Sequence, residues 1–234
     1  SPVVSAAGTY HGGEEVNKFG YMKVSPDGSK LALAIQFMNL IEIFDFDNET
    51  GKVSNPLMLT TERLDNVYGV EFSPNGRLLY VGLRRENGEL FQLDLRYEDD
   101  LSLLESMIKI GEYKHEYGGI QIAPNGKIYV ALNDTNLVAV IQDPNTAGFG
   151  CHYLADGIKL QDSKSMLGLP TFLHPYFNLC LQAPKVVCEY DNVQLSCNKI
   201  DWYETSYLWV TPAGREINER EALFERVVHE ESGF

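Results

Sequence analysis

One short motif recurs three times at nearly constant spacing and limits what the chain can fold into. The copies read Gly20-Tyr-Met-Lys-Val-Ser-Pro-Asp-Gly28, Gly69-Val-Glu-Phe-Ser-Pro-Asn-Gly76 and Gly119-Ile-Gln-Ile-Ala-Pro-Asn-Gly126. Their prolines, Pro26, Pro74 and Pro124, lie 48 and 50 residues apart. Proline fixes φ at the first corner of a tight turn, and Asp-Gly or Asn-Gly supplies the positive φ that closes a hairpin. A hairpin repeated at this period predicts β-propeller blades, each a sheet of four short antiparallel strands packed on its neighbours.

The flanking residues supply the strands. Before each turn, Met22 and Val24, Val70 and Phe72, and Ile120 and Ile122 alternate with polar neighbours, as an inner blade strand should. After it come Lys30-Leu-Ala-Leu-Ala34, Leu78-Leu-Tyr-Val-Gly82 and Lys127-Ile-Tyr-Val-Ala131. A third strand is expected at Leu40–Asp47, Glu89–Leu95 and Leu137–Asp143, ended by turns such as Asn48-Glu-Thr-Gly51 and Asp143–Gly148. Val53–Leu59 and Leu103–Ile110 are the candidate fourth strands. The second is rich enough in Leu, Glu and Met to form a helical turn, and a strand is preferred there. Closed propellers have roughly 4 to 8 blades, whereas about three are visible, with a partial unit over Val3–Tyr10. Missing blades in a longer protein account for this better than ring closure by several copies, because an incomplete array leaves a blade face and an edge strand unpaired.

At Leu167-Gly-Leu-Pro-Thr-Phe-Leu-His-Pro-Tyr-Phe177 the periodicity stops, and this segment reads as a packed exit whose aromatics cap the last blade. Beyond Pro184 come Lys185-Val-Val-Cys-Glu189, Asn192-Val-Gln-Leu-Ser-Cys197, Ser206-Tyr-Leu-Trp-Val210, the turn Thr211-Pro-Ala-Gly214 and Leu223–Val228. Short strands around an inward Trp209 suggest an Ig-like sandwich. Such a sandwich needs about 100 residues, and only 50 follow Pro184, so a partial domain is expected. The chain therefore divides into propeller blades with their exit over 1–177 and a partial Ig-like or PKD-like domain over 178–234. Absence of an initiator Met makes Ser1 a processed terminus or a cut within a longer protein. Truncation at both ends is the simplest account.

The formal net charge of −14 repels phosphate backbones and anionic headgroups, so nucleic acid is not expected, and no run approaches the roughly 18 apolar residues of a membrane span, so membrane insertion is not expected either. Cys151, Cys180, Cys188 and Cys197 match no zinc spacing. The last three suit an oxidised Ig-like module or free buried thiols equally. Asp27, Asp45, Asp47, Asp94, Asp134 and Asp143 recur at strand ends, where a divalent cation is one reading and satisfaction of turn backbone groups the preferred one. His11, His115, His152, His174 and His229 are scattered, with no metal-binding pair. Gly12-Gly13 and Gly118-Gly119 read as close-packing or turn positions rather than a phosphate loop. Tyr10, Phe19, Tyr21, Tyr68 and Tyr117 could form a stacking platform for a glycan, although blade aromatics are usually core. No catalytic, cofactor-binding or metal-binding residue is assigned.

Taken in order, five blocks resemble the propeller-containing surface proteins of Bacteroidota that end in a gliding-motility-associated or type B sorting domain. These are Gly20–Ala32, Ile43–Gly51, Tyr68–Val81, Gln121–Ala131 and Gly168–Phe177. The Gly-Leu-Pro-Thr-Phe exit before a Val-Cys-Glu Ig-like start is the most restrictive element. In that family YVTN-like blades precede a PKD-like or Ig-like domain. The resemblance implies export by the type IX secretion system to the cell surface or medium, with that machinery as one partner. The leading expectation is a non-catalytic binding or adhesion module for a protein or glycan at the cell surface. A propeller enzyme of the lactonase type and a structural spacer carrying a distal domain are the alternatives.

Overall fold

The computed structural model describes residues 2–12, 19–170 and four short strands within 193–224. The chain separates into two compact units, Ser1–Phe172 and Leu173–Phe234. Among its described residues, unit 1 is all-β apart from short helical turns, with three successive four-stranded antiparallel sheets in simple up-and-down order. These are propeller blades. Blade 1 holds β1 (Met22–Val24), β2 (Lys30–Ile35), β3 (Leu40–Asp47) and β4 (Lys52–Thr60). Blade 2 holds β5 (Val67–Phe72), β6 (Leu78–Leu83), β7 (Gly88–Asp94) and β8 (Ile108–Tyr113), and blade 3 holds β9 (Tyr117–Ile122), β10 (Ile128–Leu132), β11 (Leu137–Ile141) and β12 (Tyr153–Lys159). The first strands of blades 1 and 2 meet where the Tyr21 N–H donates to the Tyr68 carbonyl, and the Gly119 N–H of blade 3 donates to the Leu167 carbonyl in the segment after β12.

Each repeated motif forms the turn between the first two strands of its blade. Gly28, Gly76 and Gly126 take φ of +72°, +69° and +74°, and each N–H donates three residues back, to Ser25, Ser73 and Ala123. The Asp or Asn before each glycine keeps negative φ. Its side chain instead accepts the N–H two residues on, at Ser29, Arg77 or Lys127, each at 3.1 Å. That is a type I corner with a left-handed glycine, not the two-residue turn in which both central residues take positive φ.

Two apolar cores lie between the blades, sharing blade 2. Ala32, Ala34, Ile41, Ile43 and Leu59 of blade 1 meet Val70, Phe72, Leu79, Val81 and Phe91. From the opposite face of blade 2, Leu78, Tyr80, Leu90 and Ile110 meet Tyr117, Ile120, Ile128, Val130, Ala139 and Cys151. Blade 3 also clamps blade 2 through its 143–148 loop: the Tyr80 hydroxyl donates to the Pro144 carbonyl at 2.8 Å, and the Gly148 N–H to Gln92 Oε1 at 2.7 Å.

Three expectations need correction. Leu103–Ile110 is not one strand: Asp100–Glu105 is helix α1, followed by β8. Asp99 caps that helix, accepting the Ser102 N–H at 2.9 Å, and Leu103 drops into the first core. Val3–Tyr10 forms no strand; it is an extended strap, with Ser5 Oγ accepting the Val53 N–H and Thr9 donating twice to Glu42. The alternating apolar residues of the first inner strand are also not buried. Met22 is 57% exposed and Val24 38%, because the strap leaves much of that face of blade 1 uncovered.

The Ig-like reading, and with it Cys180, Cys188 and Cys197, lies outside the described residues. What is described of unit 2 is strand pairing alone: β13 (Val193–Ser196) with β16 (Glu221–Phe224), and β14 (Trp209–Val210) with β15 (Glu216–Ile217).

Candidate functional site

Strand register places equivalent residues of the three blades side by side. Val24, Phe72 and Ile122 pair with Leu31, Leu79 and Ile128, so Lys23, Glu71 and Gln121 occupy one position in the three inner strands. Alternation alone would send these polar residues to solvent, but the structure gathers them. Lys23 Nζ lies 2.9 Å from Glu71 Oε2 and donates to Gln121 Oε1 at 2.6 Å. Glu71 is fully buried, and its carboxylate also accepts the N–H groups of Phe72 at 3.0 Å and Ile122 at 3.1 Å. A charge removed from water must be paired and hydrogen-bonded, and this one is both. Held in this way the group ties three blades together.

The same register identifies a second set at the end where the inner strands begin. Gln36, Arg84 and Asn133 each close the second strand of a blade, and their N–H groups donate to Phe19, Asn66 and Glu116 at 2.9, 2.8 and 3.0 Å. Among the side chains, Asn133 Nδ2 donates to Glu116 Oε2 at 2.8 Å, while Arg84 Nε stands 3.6 Å from that oxygen, beyond hydrogen-bonding distance. Gln36 Nε2 reaches Asn66 Oδ1 at 3.4 Å. The Arg84 guanidinium lies 5.5 Å from the Tyr68 ring centre, and Tyr68 meets Tyr21 edge-on at 5.4 Å. Phe19 and Phe37, both half exposed, contact each other at 6.1 Å. Burial, and then the neighbouring Tyr68, raise the Tyr21 hydroxyl above the ordinary tyrosine range, so it remains a neutral donor.

Three buried side-chain atoms of this set have no hydrogen-bond partner: Gln36 Oε1, Arg84 Nε and Asn133 Oδ1. The fourth such atom among the described residues, Glu42 Oε2, lies under the N-terminal strap, 4.0 Å from His11 Nε2. An unpartnered buried polar group costs about 1–3 kcal/mol. Three at equivalent positions of successive repeats form a patterned set. Unpaired donors and acceptors beside aromatic faces suit recognition by hydrogen bonding and stacking.

The residues singled out from sequence separate. Tyr21, Tyr68 and Phe19 belong to this end, whereas Tyr117 is core, sharing a 2.5 Å hydroxyl contact with Tyr153, and Tyr10 is 84% exposed. Gly118 and Gly119 are packing positions, since a Cβ there would meet Leu167 and the Tyr21 hydroxyl. Each aspartate is taken up by a partner of its own. Asp27 holds its own turn, Asp45 pairs with Lys30 and Asn55, Asp47 with Thr50, Asp94 with Arg96, Asp134 with Lys164 and Asp143 with His152. His115 stacks on Tyr113; His174 and His229 lie outside the described residues. Among the described residues no group of three metal-ligating side chains comes together. Sequence reading missed Gln36, Arg84, Glu116 and Asn133. Their signal was a polar residue closing each apolar second strand, visible only once the repeats are aligned.

No family model matches the sequence, and no curated protein matches it. Solved structures resemble it more loosely. Hydrazine synthase from Kuenenia stuttgartiensis is 17% identical over 88% of this chain and 56% of its own, with a TM-score of 0.43. A candidate 6-phosphogluconolactonase from Bacteroides uniformis is 21% identical over 51% of this chain and 34% of its own, at 0.39. Virginiamycin B lyase from Staphylococcus aureus is 15% identical over 51% and 36%, at 0.36. The chain thus spans between about a third and somewhat over half of these proteins.

Proposed function

We propose that this chain is a non-catalytic binding module of a secreted or cell-surface protein, engaging a protein or glycan partner through the end where its inner strands begin. One observation carries the reading: the repeat brings Gln36, Arg84 and Asn133 to equivalent positions at that end, each with a buried atom left unpaired. Variation in side chain at a fixed backbone position is how a repeat scaffold builds a recognition surface without altering its fold. Export by the type IX secretion system is supported by the resemblance of the five sequence blocks and belongs to the same proposal. The test is binding of the purified chain to arrays of glycans and extracellular matrix proteins, with the double variant Arg84→Ala, Asn133→Ala alongside. Binding by the wild type and its loss in a variant with unchanged far-ultraviolet circular dichroism is expected. Equal binding by both would move the site elsewhere.

A further inference from the structure

We infer that this end of the blade stack takes a neutral, hydroxyl-bearing ligand, a carbohydrate, rather than an anion or a cation; the inference rests on the binding reading above. Its basis is the hydrogen-bonding valence left over. Gln36 Oε1 and Asn133 Oδ1 are acceptors awaiting donors, and Arg84 Nε is a donor awaiting an acceptor. Asn133 cannot be turned round to reverse this, because its amide N–H₂ is spent on the Glu116 carboxylate. A carboxylate offers only acceptors, so it would leave both amide oxygens unpaired and face Glu116. An ammonium group offers only donors, so it would leave Arg84 Nε unpaired and face the guanidinium. A hydroxyl group gives one hydrogen and accepts others, and adjacent hydroxyls on a sugar ring supply both kinds at neighbouring positions.

The surroundings fit the same ligand. Arg84 and Glu116 form an ion pair at 3.6 Å with side chains 29% and 34% exposed, so the charges at this end are balanced while both groups remain within reach of solvent. The half-exposed Phe19 and Phe37 rings and the Tyr21–Tyr68 pair offer apolar faces to the C–H side of a sugar. Gln36, at 4% exposure, is the most buried of the three residues.

Saturation-transfer NMR on the whole 234-residue chain tests this, using glucose, galactose, mannose, N-acetylglucosamine and their short oligomers, with acetate and methylammonium as charged probes. At least one neutral sugar should receive saturation and the charged probes none. Gln36→Leu and Arg84→Met should each weaken that sugar about tenfold or more, while Gln36→Leu leaves the melting temperature unchanged or higher, since an unpaired atom has been removed. Binding of acetate or methylammonium in place of sugars overturns the ligand class. So does the absence of sugar binding by a chain that still binds a matrix protein in an Arg84-dependent way, and the binding reading then stands. If neither sugar nor protein binds, both readings fall.

Discussion

At residue scale, Lys23 does most to bind the blades to one another. It reaches from β1 to Glu71 on β5 and Gln121 on β9, spanning three sheets with one ammonium group. Glu71 has no access to water, so removing Lys23 takes the ammonium group from beside a buried carboxylate. Lys23→Met should therefore lower stability by about 3–5 kcal/mol, and adding Glu71→Gln, which removes the charge but keeps an acceptor, should restore the larger part. Urea unfolding of the single and double variants measures both; a loss below about 1 kcal/mol would mean the pair is solvated in solution. The turn residues Asp27, Asn75 and Asn125 were readable in advance because their work is local, in bonds two residues away. Lys23, Glu71 and Gln121 were not, because their partners lie 48 to 98 residues off or on a neighbouring strand.

At the scale of the element, identical strand patterns meet different fates according to what faces them. Phe72 in β5 and Val24 in β1 occupy the same register position, yet Phe72 is fully buried against blade 1 while Val24 remains 38% exposed. Phe72→Ala should cost about 3–5 kcal/mol, whereas Met22→Ala on the open face should change stability by no more than about 0.5 kcal/mol. Comparable losses in denaturant midpoints would show that the blade 1 face is covered in solution. The outermost strand of blade 1 is guarded against pairing with another sheet. Pro56 lacks an N–H to donate, and Asn55 takes a φ of +49° beside a break in register with β3. Helix α1 shows the limit of composition: Asp99 as its cap, rather than the Leu content after it, decided that segment.

At the scale of the molecule, blade 2 contributes to both apolar cores, while blades 1 and 3 contribute to one each. In an array where each repeat contacts only its neighbours, stability is approximately a sum of repeat and interface terms. Hydrogen exchange should follow this plan. Tyr80→Phe, which removes the bonds to Pro144 and Gln92, should speed exchange in blades 2 and 3 and leave β2 and β3 of blade 1 protected. Phe72→Ala should speed exchange in blades 1 and 2 first. Uniform loss of protection across all three blades in both variants would mean that unit 1 opens only as a whole.

Alone, the sequence determined the blade: three proline–glycine turns at near-constant period, the alternating strands around them, and glycines where φ must be positive. Those features depend on residues a few positions apart, where sterics and turn chemistry act directly. Only the tertiary structure decided which polar residues leave solvent and which apolar ones stay in it. Lys23, Glu71 and Gln121 became interior, and Gln36, Arg84 and Asn133 became a set, because face-to-face packing superimposes repeat positions nearly fifty residues apart. Met22 and Val24 stayed exposed for the complementary reason: the burial of a blade face is a property of its neighbour.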